Sequence, residues 1–284
     1  MHYIKNKRNQ IDSCNICGQV KELTWDHVPP KSSGNNTEIN VNTLYKGLPT
    51  ENNYQKKFQN GIKFRSLCRE CNSILLSKYD TAYKEFIEDI KRLMETAITL
   101  PQTVQISIEI NKVLRAICGH ILAAKNHYDS VNKVDIELRK YVLDEQYKID
   151  SNFKLYYWIY PYKTVCIVRD VFVKGYSDKV NFPQKPLSSL ASFPIAFVLE
   201  PETDDSCGLM DLFKFATEDI NEIVKIPLDF RSSYYPGTEN VRDFLWPCNV
   251  GDEWDDVSFI VGGDEMMFDS RVGVVNGTIK NKKR

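Results

Sequence analysis

Four of the eight cysteines stand in two Cys-x-x-Cys pairs, Cys14 with Cys17 and Cys68 with Cys71. Four thiolates so arranged suit a tetrahedral zinc ion: a tight turn aims backbone amides at both sulfurs of a pair, and Gly18 tolerates the positive φ such a turn wants. A redox motif or two unrelated pairs are the competing readings. Between the pairs runs Leu23-Thr24-Trp25-Asp26-His27-Val28-Pro29-Pro30-Lys31, in a chain with only four histidines. Directly after the second pair comes Asn72. A carboxylate, an imidazole and a carboxamide near a zinc-stapled turn could bind Mg2+ through Asp26 and Asn72 while His27 takes a proton from water. An isolated Asp-His dipeptide would read instead as a turn cap beside a surface imidazole.

These residues need elements to hold them. Ile74, Leu75, Tyr79, Tyr83, Phe86, Ile87, Ile90 and Leu93 recur at helical spacing, so a helix starts at the second cysteine pair. Val104, Ile106, Ile108 and Ile110 alternate as a half-buried strand does, and Asn111 is placed to cap a helix running to about Asn126. A further helix is expected over Val134 to Asp144 and a short one over Asp219 to Val224. Strands are expected over Phe153 to Tyr160, Thr164 to Val173, Phe193 to Leu199, Val257 to Val261 and Val272 to Lys280. In the last, Asn276-Gly277 is a type I′ hairpin signal. Lys31 to Asn60, rich in Asn, Ser, Thr, Gln and Lys, reads as a long insertion between ordered pieces. The expected class is α+β, with a small zinc-stapled domain over residues 1–97 and an α+β domain with a largely antiparallel sheet over 98–284.

With 42% hydrophobic and 26% charged residues, the composition excludes collagen, a disordered tail and a coiled coil. The net charge of −1 conceals a division. Residues 1–80 carry 12 Lys and Arg against 7 Asp and Glu, a balance of +5 that leaves −6 for the remainder. A basic head suits a polyanionic partner. Met1 to Asn15 is polar and basic without the apolar stretch of a signal peptide, and no apolar run approaches the ~20 residues of a membrane span. The expectation is a cytoplasmic protein, without membrane attachment, whose thiols stay reduced.

Cys14-x-x-Cys17, the Asp26-His27-Val28-Pro29-Pro30 segment and Leu67-Cys68-x-x-Cys71-Asn72, in this order, resemble the HNH endonucleases over roughly residues 12–80. These nucleases have a ββα-metal site often braced by four cysteines. The resemblance implies structural Zn2+ on Cys14, Cys17, Cys68 and Cys71, catalytic Mg2+ or Mn2+ on Asp26 and Asn72, His27 as general base, and hydrolysis of nucleic acid, DNA first. Lys31, Arg65 and Arg69 flank the motifs and could grip phosphates. Many members carry an Asn about five residues before the third cysteine. Lys63 stands there in this chain, leaving a backbone carbonyl or an insertion residue such as Asn42 to orient His27.

His120 and His127, two turns apart with Cys118 nearby, read as packing or surface rather than ligands. The body thus carries no chemistry of its own in the sequence. Its expected roles are target recognition, homo-oligomerisation, or docking of a regulatory protein or signalling ligand, in a setting such as prokaryotic restriction or antiviral defence. The competing function is a non-catalytic zinc module that binds nucleic acid or protein.

Overall fold

The structure, a computed structural model, describes residues 8–31, 34–36, 38–43, 56–58, 60–96, 101–125, 127–160, 166–173, 185–201, 209–230, 256–261 and 275–280. It is mixed α and β, as expected from sequence. Strands β1 (Ile11–Ser13), β2 (Val20–His27) and β5 (Lys63–Cys68) form a small antiparallel sheet in the order β1-β2-β5. A π-helical turn over Glu70–Leu76 follows β5 and runs straight into α1 (Ser77–Met94). α1 buries Tyr79, Ala82, Tyr83, Phe86, Ile87 and Ile90, the three- and four-residue steps that place side chains on one helical face.

Strand β6 (Thr103–Glu109) passes directly into α2 (Ile110–Ala123), and α3 (Lys133–Leu143) follows. Of α2, only Lys112 escapes full burial, the mark of a helix enclosed on all sides. It approaches the π-helical turn ahead of α1 so closely that a Cβ on Gly119 would come within 2.3 Å of Leu76 Cδ2. The remaining strands are β3 (Glu38–Thr43), β4 (Lys56–Phe58), β7 (Phe153–Ile159), β8 (Cys166–Val173), β9 (Lys185–Ser192), β10 (Ile195–Pro201), β11 (Met210–Asp211), β12 (Ile223–Asp229), β13 (Asp256–Val261) and β14 (Val275–Lys280). All but β12 join a nine-stranded sheet, β11-β7-β10-β9-β8-β13-β14-β3-β4, antiparallel except where β13 meets β8; β12 pairs with β6. Phe197 of β10 lies 6.4 Å from the Tyr83 ring and 6.5 Å from Phe86, which seats α1 on this sheet. One apolar cluster runs from Cys14 to Leu228, so α1, before residue 97, and α2, after it, share a core.

Three expectations are corrected. Glu109, not Asn111, is the α2 N-cap; Asn111 sits inside the helix and its amide donates to the carbonyls of Thr217 and Asp219. A strand that feeds a helix without a break leaves no separate capping position, which frees the amide to hold the distant loop. Ile223 and Val224 begin a strand, not a helix: β12 answers the alternating residues of β6 from Ile223 opposite Glu109 to Asp229 opposite Thr103. Asn276-Gly277 makes no hairpin turn, because both residues lie within β14, paired to β13 on one side and β3 on the other. Two flanking strands offer a ladder along both edges, more hydrogen bonds than a local hairpin would make. The insertion supplies β3 and β4 to this sheet. No helix among the described residues is long and apolar enough to cross a membrane.

Candidate metal centre and its surroundings

The Cys14 and Cys17 turn joins β1 to β2, Cys68 ends β5, and Cys71 lies in the π-helical turn. The four sulfurs gather within 4.8 Å of one another, and Cys17 Sγ is 3.8 Å from Cys68 Sγ. Sulfurs at a zinc bond length of about 2.3 Å define a tetrahedron with edges of about 3.8 Å, so the donor set fits that ion. The Cys71 thiol, and then the Cys68 amide, which meets Cys14 Sγ at 3.3 Å, draw the Cys14 pKa down to about 5 against the effect of burial. Gly18 has φ +72, as its place after the first pair led one to expect, and a Cβ there would also press within 2.8 Å of the Tyr128 hydroxyl.

The cluster is tied to the body through the residues between its ligands. The Asn15 amide donates to the carbonyls of Leu122, at 3.0 Å, and Lys125, at 2.9 Å, while Ser66 Oγ donates to that of Ala123 at 2.7 Å. These are carbonyls at the C-terminal end of α2, which have no partner within the helix. Arg139 of α3 donates to the Asn15 carbonyl at 2.8 Å and stacks its guanidinium 4.1 Å from the Tyr128 ring centroid.

Asp26 and His27 close β2 opposite the start of β5, where His27 faces Lys63, while Asn72 lies past the other end of β5, beyond Cys68. Asn72 reaches across with its amide nitrogen to Thr24 Oγ1, at 2.9 Å, and to the Trp25 carbonyl, at 3.3 Å, immediately before Asp26. Its carboxamide oxygen is the atom left to offer a metal. Asp26 and His27 are consecutive on a strand, so they turn to opposite sides. His27 is half-buried, and its Nε2 meets the Asn60 carbonyl at 3.0 Å. A carbonyl only accepts, so Nε2 carries the hydrogen and Nδ1 keeps its lone pair. Burial, and then the charge of Lys63, hold the His27 pKa below the ordinary imidazole value, which favours the neutral ring. The backbone alternative for orienting this histidine is therefore the one observed; the Asn42 side chain lies outside the described residues.

Two residues after Asn60, Ile62 is held by Asn35, which was not among the site residues expected from sequence. Buried Asn35 donates to the carbonyls of Pro29 and Ile62 and accepts from the Ile62 amide, binding the Pro29-Pro30 turn to the start of β5. Gly61, at φ +76, packs so tightly here that a Cβ would fall 2.2 Å from the Asn35 carbonyl oxygen.

Asp26 turns inward and meets a residue assigned only to packing or surface in the sequence. His120 of α2, 2% exposed, has Nδ1 3.3 Å from Asp26 Oδ2 and Nε2 3.0 Å from Asp80 Oδ1 on α1. Burial lowers the His120 pKa, but the carboxylates of Asp80 and Asp26 outweigh it and bring it to about 10. The Asp26 contact lacks hydrogen-bond alignment: both Oδ2 and Nδ1 are buried without a hydrogen-bond partner. The one signal in the sequence was an imidazole among the apolar residues of a helix. His127 stands apart, 4.0 Å from Asp129.

Of the basic residues expected at phosphates, Lys31 and Arg69 are exposed. Arg65, cross-strand from Trp25, holds its guanidinium 4.8 Å from the Trp25 ring centroid, and Trp25 is 41% exposed. Comparison with protein-family models, with curated proteins and with solved structures gives no match.

Proposed function

We propose that this chain is a metal-dependent phosphodiester hydrolase, and more narrowly an HNH-type endonuclease framed by zinc on Cys14, Cys17, Cys68 and Cys71. The observation that carries the reading is Asn72 clasping β2 one residue from Asp26, on a helical turn that also brings Cys71 to the thiol cluster. An antiparallel strand pair followed by a helix, with a carboxylate and an imidazole on one strand and a carboxamide on the helix, is the arrangement the resemblance calls for.

In this reading Asp26 and Asn72 would hold Mg2+ or Mn2+. The fit rests on the chemistry of the donors: an Asp26 carboxylate whose Oδ1 is left by the contact of Oδ2 with His120, and an Asn72 oxygen left by its committed nitrogen. When bound, the ion would neutralise charge developing on the phosphate and the departing oxygen. His27, held by the Asn60 carbonyl with Nδ1 unprotonated, would accept the proton of the attacking water. Lys31 and Arg69 would bind phosphates, and Trp25, braced by Arg65, offers a ring face to a base.

A second reading, a non-catalytic zinc module that binds nucleic acid or protein, draws on the ion contact between Asp26 and His120. Plasmid nicking in Mg2+ or Mn2+ separates the two. The hydrolase reading expects nicking by the wild type and a loss of about 10² to 10⁴ in His27→Ala, the usual worth of a general base, with zinc retained in both. Zinc-loaded wild type that leaves DNA and RNA intact, or a variant as active as the wild type, favours the second reading.

A further inference from the structure

We propose that His120 is a positioning residue for Asp26, held in turn by Asp80, so that the metal-binding carboxylate is aimed by a helix of the body. The inference rests on the reading of Asp26 as a ligand. Three elements meet at this imidazole: β2 brings Asp26, α1 brings Asp80 and α2 brings His120.

The geometry suits aiming. A carboxylate can turn about its side-chain bonds, and a ligand must be fixed before a metal arrives if binding is not to bear the ordering cost. His120 is itself fixed. Its ring lies 6.4 Å from that of Tyr83, the neighbouring Gly119 is pressed on Leu76, and the helix end one turn on is bonded to Asn15 and Ser66. Asp80 takes the far nitrogen at 3.0 Å, which sets the ring's rotation and directs Nδ1 at Asp26. Nδ1 faces Oδ2 at 3.3 Å, so the contact steers the carboxylate through that oxygen and leaves Oδ1 as the one to offer a cation. Partners that orient metal ligands from behind are typically worth about 10- to 100-fold in metal affinity.

The test is Mn2+ binding to the zinc-loaded full chain, followed by calorimetry and by the paramagnetic signal of free Mn2+, alongside the Mn2+ concentration that half-activates nicking. Asp26→Ala must abolish the binding; if wild type binds no Mn2+, or Asp26→Ala binds as well, the reading of Asp26 as ligand fails and the proposal with it. Given that control, His120→Gln, whose amide reproduces Nε2 but not Nδ1, is expected to bind Mn2+ about 10- to 100-fold more weakly, with nicking recovering at saturating Mn2+. His120→Asn, whose amide reproduces Nδ1, is expected to regain most of the affinity. Equal affinity in His120→Gln and wild type overturns the proposal alone. Should His120→Gln lose zinc or fail to fold, Asp80→Ala, at a side chain 39% exposed, serves instead: a weaker Mn2+ affinity supports the proposal and an unchanged one overturns it.

Discussion

Gly61 illustrates how much a single position governs. It lies next to the Asn60 carbonyl that fixes His27, in a left-handed conformation, against the Asn35 backbone. Gly61→Ala would introduce strain of about 1 kcal/mol from the positive φ alone, and the 2.2 Å approach to Asn35 obliges the turn to move. The expected outcome is a nicking rate falling toward that of His27→Ala while zinc content stays at the wild-type level, measured side by side. Residues such as the four cysteines were legible because their spacing carries the chemistry within a few positions. His120 was not, since its partners Asp26 and Asp80 are 94 and 40 positions earlier in the chain and nothing local marks the meeting. Asn35 was hidden for a related reason: among so many polar neighbours in the insertion, composition does not distinguish the one that is buried.

At the scale of elements, α2 organises the molecule. Its C-terminal carbonyls are received by Asn15, inside the first cysteine pair, and by Ser66, on β5. Under the proposal that the four cysteines hold zinc, its removal should therefore be felt in a helix that contributes no ligand. Chelation, or Asn15→Ala in the zinc-loaded protein, is expected to loosen the last turn of α2 by about 2 kcal/mol, two hydrogen bonds at about 1 kcal/mol each, read as faster amide exchange there. Unchanged exchange would show that the helix end holds without the knuckle. Helix α1 and strand β6 were legible because periodic burial is written into their residue order. Asn276-Gly277 misled because a turn signal is local, whereas β13 and β3, which flank it, are supplied by remote sequence. The helix expected at residues 219–224 failed likewise: a short apolar group fits either period until a partner strand decides.

Across the whole molecule, the charge division of the sequence takes a more definite form. Part of the acidity of the body is internal: Lys125, 1% exposed, contacts Asp129 at 3.2 Å, Asp135 at 2.9 Å and Asp170 at 2.6 Å, and Arg169 binds Asp135 beside them. Burial alone would raise the Asp170 pKa, but Arg169 and Lys125 hold it below the ordinary carboxylate value. A carboxylate depressed in the fold stabilises it above its unfolded pKa and loses that contribution as pH falls through the folded one. The contribution of this network to urea resistance is thus expected to decline below about pH 4, whereas that of His120, whose pKa is raised to about 10, is lost as pH climbs from neutrality toward that value. Lys125→Met, which leaves the carboxylates short of a partner, should cost about 3 to 5 kcal/mol at neutral pH in the same urea titration; a loss below 1 kcal/mol would mean that the network relaxes or takes in water. The division into a basic head and an acidic body was legible, but not that the two share one core, because composition carries no information about contact. The bonds from Asn15 to Leu122 and Lys125 span 107 and 110 positions. At synthesis rates of about 5 to 20 residues per second, Asn15 waits on the order of 5 to 20 s for the ribosome to deliver the helix that receives it. Asp26 waits nearly as long for His120, so a nascent chain carries the cysteines and the Asp-His pair well before it carries a finished site.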